Sequence, residues 1–351
     1  MRWNKKFQAA RWRAPRCLGI CLGFAVFVFA PALAQDVTVS PIYKKHYSMG
    51  TVFEIVVYDF TPERASDAIQ KVFAEMDRLD KVMSNYQPDS DLSRLNRSAH
   101  FHPTPVPGDL YQVIQQSLHY SELSGGEFDV SVGPLANRWK AVGRGEPVPT
   151  PAEVDNLRRC VGYHMIELLP PDQIEFRSPC LEIDLGAIGK GYGVDRAVAV
   201  LRSFGIERAL INAGGSSLYG MGAPPGQAGW LVHLKDPSGR RDPRVLLREN
   251  SVSTSEQTPA SLLGQKSFGH IIDPITGEPL QTTLAVSALA ETATASDGLS
   301  TTLFLLGPTK GKELVQKLPK VAAVWVSPEG QVEAASTGPE VFVTGTNATG
   351  R

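Results

Sequence analysis

The stretch TVFEIVVYDFTPERASDAIQKVFAEMDRLDKVM, residues 51–83, changes its hydrophobic period partway along. Residues 51–59 alternate and are rich in β-branched side chains, which predicts a strand. After Pro62 the apolar positions fall at 65, 68, 69, 72, 73, 76, 79, 82 and 83. That is helical spacing, with a proline near the start, where a helix tolerates one. Working outward, SNYQPDSDLSRLN (84–96) reads as a turn-rich loop with short helical character, and 109–123 as a second amphipathic helix ended by Gly125-Gly126. GEFDVSVGPLANRWKAVG (126–143) is strand-like with Gly and Pro punctuation, and the polar GRGEPVPTPAEVD (143–155) marks an insertion or lobe boundary.

A hairpin follows, MIELL, the turn PPDQ, then IEF. LEIDLGAIGKGYGVDRAVAVLRSFG (181–205) predicts a strand, a glycine-rich turn and a helix; RALINAGGSSLYGMG (208–222) predicts a strand entering a second glycine-rich loop. Short strands are expected at 230–235, 251–254 and 270–273, a helix at 292–306 and a late strand at VAAVWVS (321–327). Helices and strands mix without regular alternation, so the expected class is α+β with mainly antiparallel strands, not a doubly wound sheet. One large domain over 49–345 is expected, after a linker at 35–48 and before a tail at 346–351.

The first 34 residues have a different character. Arg2, Lys5, Lys6, Arg11, Arg13 and Arg16 precede the apolar run LGICLGFAVFVFA (18–30) and then Ala32-Leu33-Ala34. This is the pattern of a secretory signal peptide cleaved after Ala34, which places the mature chain in the periplasm. Thirteen apolar residues make roughly 20 Å of helix, short of a hydrocarbon core of about 30 Å. The alternative is an uncleaved single-span anchor. The segment holds six of the 35 Lys and Arg and none of the 36 Asp and Glu, so the remaining 317 residues carry 29 − 36 = −7. An acidic chain is a poor partner for nucleic acid, whose binding runs on phosphate neutralisation.

Of four cysteines, Cys17 and Cys21 leave with the signal. Cys160 and Cys180 flank the apparent hairpin, and in an exported protein a bridge between them is one reading. Two small buried residues at strand ends is the other. Neither has a neighbour at zinc-ligand spacing.

The segment Asp184 to Gly193 has four glycines in ten residues between a strand and a helix. Such a turn lets backbone approach a ligand and aims helix N–H groups at an anion such as a pyrophosphate. It is neither a Walker loop, since Gly191 follows Lys190, nor a Rossmann fingerprint. Asn212-Ala-Gly-Gly215 has the same freedom, for a ligand or for a tight turn. His270 stands three residues before Asp273, which makes it a candidate general base. Asp297 and Thr301, four apart in a helical stretch, share one face and suit a hard cation, with backbone carbonyls and phosphate oxygens completing the shell. A helix-capping role for Asp297 is the alternative.

Taken together and in this order, the motifs closely resemble the FAD:protein FMN transferase family, the ApbE flavin transferases. The pieces that carry the resemblance are Met49-Gly-Thr51, Ser84-Asn-Tyr86 with Ser90 to Asn96, Gly125-Gly-Glu-Phe-Asp129 with Val132-Gly-Pro134, and Asp184 to Gly193. Asn212-Ala-Gly-Gly215, His270-Ile-Ile-Asp-Pro274 and Asp297 to Thr301 complete it, over roughly residues 42–343. The resemblance implies a T-fold-like core and a magnesium-dependent transfer of FMN from FAD to a Ser or Thr hydroxyl of an acceptor protein, releasing AMP. It further implies flavin-nucleotide contacts from Met49, Tyr86, Glu127, Phe128, Asp129, Asp184, Lys190 and Ile271. Mg2+ would be held by the carbonyl of Ala187 with Asp297 and Thr301, and His270 would be the base. Where many relatives place a second carboxylate, this chain has Ser300. The implied partners are FAD and acceptor proteins of periplasm-facing electron-transfer systems, with inner-membrane association arising through the acceptor. The rival readings are a FAD pyrophosphatase, with water in place of the acceptor hydroxyl, and a non-catalytic flavin carrier.

Overall fold

The computed structural model describes residues 40–257 and 269–345. The expected signal peptide, its cleavage point and the tail 346–351 lie outside them. The described residues belong to one compact unit.

Strands β1 (Ile42–Ser48) and β2 (Thr51–Val57) form an antiparallel hairpin. Met49 and Gly50 at its turn both have positive φ, 51° and 71°. Such a two-residue turn matches the twist of the flanking strands. The segment expected as a linker thus supplies an edge strand. Its alternation is hidden because His46, a polar residue, occupies a half-buried position, where it stacks on Phe73 and pairs with Asp77 at 2.7 Å. Beyond β2, helix α1 (Pro62–Met83) buries Ala65, Ile69, Val72, Met76 and Leu79, as the spacing predicts. Helices α2 (Asp91–Ser98) and α3 (Gly108–Ser124) also fall where expected. Strand β3 is the short pair Thr104–Pro105.

Residues 126–143 differ from the expectation. They turn at 126–132 and then form helix α4 (Gly133–Gly143). The alternation of Phe128, Val130 and Val132 imitates a strand, whereas Gly133-Pro134 starts a helix with proline in its first turn. The polar insertion likewise contains helix α5 (Pro151–Arg158), whose N-cap Thr150 accepts the N–H of Glu153. Strands β4 (Ile166–Leu169) and β5 (Gln173–Phe176) are the expected hairpin. Cys160 and Cys180 are disulfide-bonded.

The strand expected at the start of 181–205 is a single parallel bridge, Val132 to Glu182. Helix α6 (Gly189–Ser203) then begins earlier than expected, so Gly189, Gly191 and Gly193 are helical residues and not loop. Next come β6 (Ala209–Ala213), β7 (Ser217–Met221), β8 (Trp230–His233), β9 (Arg241–Leu247) and β10 (Asn250–Glu256). Residues 270–273 form no strand, only a bridge between Ile272 and Pro279. After β11 (Ala285–Ala290), helix α7 (Ala293–Val315) runs past the expected end at 306, kinked at Gly307-Pro308. Strands β12 (Ala322–Val326), β13 (Val332–Ser336) and β14 (Val341–Gly345) close the chain.

The main sheet has eight strands in the order β1-β2-β6-β7-β10-β11-β12-β13, every pair antiparallel. Helices α1, α3, α6 and α7 contribute to the core on one face. The small sheet β14-β9-β8 joins a second core that includes residues of the main sheet. This division shows in β12, where Ala323 and Trp325 enter the helix-side core while Ala322, Val324 and Val326 enter the other. Burial on both faces is why that strand reads as an unbroken apolar run.

Candidate functional site

A cleft of about 610 Å³ opens where the start of β2 and the ends of β6 and β10 meet the start of α6 and the side of α7 that carries Asp297, Thr301 and Leu305. It is within the range of small-molecule sites. All the residues expected to contact the nucleotide, hold the metal or act as base line it: Met49, Tyr86, Glu127, Phe128, Asp129, Asp184, Ala187, Lys190, His270, Ile271, Asp297 and Thr301. They come from six separate stretches of chain that share only this place.

The floor is built by close helix approach. A β-carbon at Gly191 would lie 2.2 Å from the carbonyl oxygen of Ala293 and 2.6 Å from Cβ of Asp297. Only glycine lets the start of α6 lie against the start of α7. At that crossing Asp297, 4% exposed, accepts the Gly191 N–H at 2.8 Å through Oδ2 and the Ser217 hydroxyl at 3.0 Å through Oδ1. The neighbouring cap is Asp195, which accepts the N–H groups of Ala293 and Thr294. Asp297 is therefore not the cap of α7; it ties α6 to β7 and still faces the cleft.

Several predicted contacts are already engaged by protein. Asp129 accepts the N–H and hydroxyl of Ser131 through Oδ1 and the N–H of Tyr163 through Oδ2. Burial nonetheless holds its carboxyl above the ordinary range, against those hydrogen bonds. Asp129 thus staples the turn before α4. Phe128 is 1% exposed and sits edge-on to Tyr120 in the core, so its ring is packing. Asp184 accepts the Gly186 N–H at 2.8 Å and the Lys140 ammonium at 2.9 Å. Glu127 pairs with Lys310 at 3.3 Å, and the Lys190 ammonium donates to the Gly186 carbonyl at 3.0 Å.

His270 stands on the solvent-open side of the cleft. Desolvation by the surrounding protein, and then the Lys190 ammonium, lower the pKa of its imidazole below the ordinary 6.5; Glu256 opposes this and Lys140 adds to it. A lowered pKa keeps the ring neutral, the form that accepts a proton. The expected help from Asp273 is absent from the geometry: its Oδ1 caps the next turn, accepting the N–H groups of Ile275 and Thr276. The 271–280 segment is fixed instead by buried Gln257, which accepts the Ile271 N–H at 2.6 Å and donates to the Leu280 carbonyl. Trp139 of α4 secures its far end by donating to the Gly277 carbonyl.

Among the described residues no group of three His, Cys, Asp or Glu is placed to hold a metal. Asp297, Thr301 and the Ala187 carbonyl supply oxygen donors alone, with one negative charge, which fits a hard cation that keeps waters and substrate oxygens in its shell. Each Asp297 oxygen retains a lone pair beside the hydrogen bond it accepts. Ser300 is turned away, bonded to the Asp297 carbonyl and Ser255. Lys140 and Gln257 escaped the sequence reading. Each acts on residues far away in the chain, so no local pattern signals them.

Fold and cleft define a single-domain α+β protein with a nucleotide-sized site between the N-terminus of α6 and the Asp297–Thr301 face of α7. The chain belongs to the ApbE family, which matches residues 49–325. A Salmonella typhimurium FAD:protein FMN transferase is 30% identical over 315 residues, covering 86% of this chain and 89% of the relative. The crystal structure of the ApbE protein from Thermotoga maritima superposes with a TM-score of 0.75 at 26% identity, over 85% of this chain and 98% of that one. The flavin transferase ApbE of Vibrio cholerae gives 0.74 at 25% identity, with the same coverage.

Proposed function

We propose that this chain transfers FMN from FAD to a Ser or Thr hydroxyl of an acceptor protein and releases AMP. One observation carries the reading: a single cleft gathers a neutral imidazole, the Lys190 ammonium and an oxygen-only donor set. In the reaction the acceptor oxygen bonds to the phosphorus on the flavin side of the pyrophosphate. The bond from that phosphorus to the bridging oxygen breaks, and AMP leaves with the bridging oxygen. His270 takes the hydroxyl proton. Phosphoryl-type transfer needs positioning and charge neutralisation more than covalent help from protein.

Lys190, at the start of α6, faces the phosphate charge together with that helix's N-terminus. Met49, its backbone in the left-handed region and its sulfur near Gly193, shapes the wall beside it. Tyr86, 76% exposed, presents a ring face to a flavin or adenine. Asp297, Thr301 and the Ala187 carbonyl would hold Mg2+, which supplies charge neutralisation of the pyrophosphate. The mature protein works in the periplasm on electron-transfer proteins facing that compartment, after removal of residues 1–34.

Mass spectrometry of a co-expressed acceptor, with chromatography of FAD incubated with and without it, tests the reaction. FMN mass on the acceptor at a Ser or Thr supports transfer; AMP and free FMN released equally without acceptor would make the protein a hydrolase. N-terminal sequencing of exported protein should start at Gln35, and any other start counts against this cleavage point.

A further inference from the structure

Lys140 has no role in the reaction as proposed, yet the fold delivers it to the cleft by a specific route. Gly133, at the start of α4, lies so close to Glu182 that a β-carbon there would sit 2.4 Å from its carbonyl oxygen. Asn137, one turn on, donates to the Glu182 carboxylate at 2.7 Å. Lys140 follows at helical spacing on the same face. Its ammonium meets Asp184 at 2.9 Å and lies 5.3 Å from the centroid of the Tyr86 ring. Asp184 and Tyr86 outweigh the desolvation that burial imposes, so Lys140 stays charged.

Tyr86 needs such a partner. It is 76% exposed, in a loop just before α2, where solvent alone would let the ring sample several rotamers. A cation over a tyrosine face is attracted by the ring quadrupole, and here the cation is itself anchored by a carboxylate.

We infer that Lys140 is a positioning residue: anchored by Asp184, it holds the Tyr86 ring as a preformed stacking wall for an aromatic ring of the dinucleotide. The inference rests on the proposed use of FAD. The lysine reaches the ligand through Tyr86 and leaves phosphate binding to Lys190. Ordering the wall in advance removes a rotamer cost from binding. The effect therefore falls on FAD affinity, with turnover at saturation little changed.

The test is a titration of FAD fluorescence on the full mature chain, for wild type, K140M, K140R, Y86L and the K140M/Y86L pair. Circular dichroism checks that each is folded. K140M should bind FAD about 3- to 10-fold more weakly and quench bound flavin less, while K140R, which can face both the ring and the carboxylate, stays within about twofold of wild type. In the Y86L background the same K140M change should cost almost nothing further. Unchanged affinity and quenching in K140M would overturn the inference. So would an equal loss with and without Tyr86, which would make Lys140 a direct ligand contact. Wild type that binds no FAD in this titration would overturn the functional reading, and the inference with it.

Discussion

The floor and the rim of the cleft are built on different physics. At the floor, Gly191, Asp297 and Ser217 are buried, and the carboxylate that faces the cleft also joins two helices and a strand. At the rim, Tyr86, Lys140 and His270 are more open to solvent, and charge and desolvation set the state of Lys140 and His270 more than packing does. The contrast teaches that folding and chemistry are inseparable at the floor and separable at the rim.

The largest expected effect breaks the floor. Asp297→Ala removes the one charged donor of the proposed metal set and should slow single-turnover FMN transfer by on the order of a thousandfold, about 4 kcal/mol in the barrier. It also strips acceptors from the Gly191 N–H and the buried Ser217 hydroxyl, so stability should fall by about 1–3 kcal/mol. Asp297→Asn keeps the shape and an acceptor, and should regain stability without regaining transfer. Thr301→Ala, whose vacated position water can take, should cost roughly tenfold at most. A magnesium titration of transfer with parallel urea melts measures all three; wild-type rate and magnesium dependence in Asp297→Ala would remove the metal assignment.

Gly191→Ala asks how far the floor is fold alone. Its β-carbon has backbone on the far side, not a flexible side chain, so α6 and α7 must part. The cost should be about 3 kcal/mol in a urea melt. A variant as stable as wild type would show that the helix crossing yields easily, and the contrast with the rim would weaken.

Next comes the bridge behind the rim. Cys160 follows α5, and Cys180 precedes the Glu182–Asp184 segment that anchors Lys140. Closing a loop of sequence separation 20 should be worth about 3 kcal/mol through the unfolded chain. The Cys160→Ser/Cys180→Ser pair should lose about that in a melt while keeping most transfer activity below the transition. Loss of transfer without loss of stability would tie the bridge to the chemistry.

The same contrast separates what the sequence made legible from what it did not. β2 and α1 bury one face each, so period alone located them, and Phe53, Ile55 and Ile69 are fully buried as that period requires. The motif positions were legible as a set, and the structure brings them to one cleft. Residues 126–132 misled because the alternating Phe128 and Val130, buried in the core, and the half-buried Val132 belong to a turn and not to a strand. Helix α5 was marked by Thr150, Pro151 and Glu153, a capping pattern obscured by surrounding prolines. The glycines suggested an open ligand loop, whereas Gly191 answers to a helix 102 to 106 residues away, at Ala293 and Asp297. Distance in the chain is what concealed it, as it concealed Lys140 against Asp184.

The smallest effect is electrostatic and confined to the rim. As the proposed base, His270 must be neutral, so the rate should fall on the acid side as the ring takes up its proton. Desolvation and Lys190 hold that pKa below 6.5 in the free protein, so the acid limb of kcat/KM for FAD should have its midpoint below the ordinary histidine value. Lys190→Met removes a repelling charge. The protonated ring becomes less unfavourable, the pKa rises, and the midpoint should move to higher pH. Glu256→Gln removes an attracting charge and should move it to lower pH. Opposite movements of one limb, in folded variants, are the signature of a base tuned by the charges around it. A limb that stays in place in both would assign the titration to another group and leave His270 without the role of base.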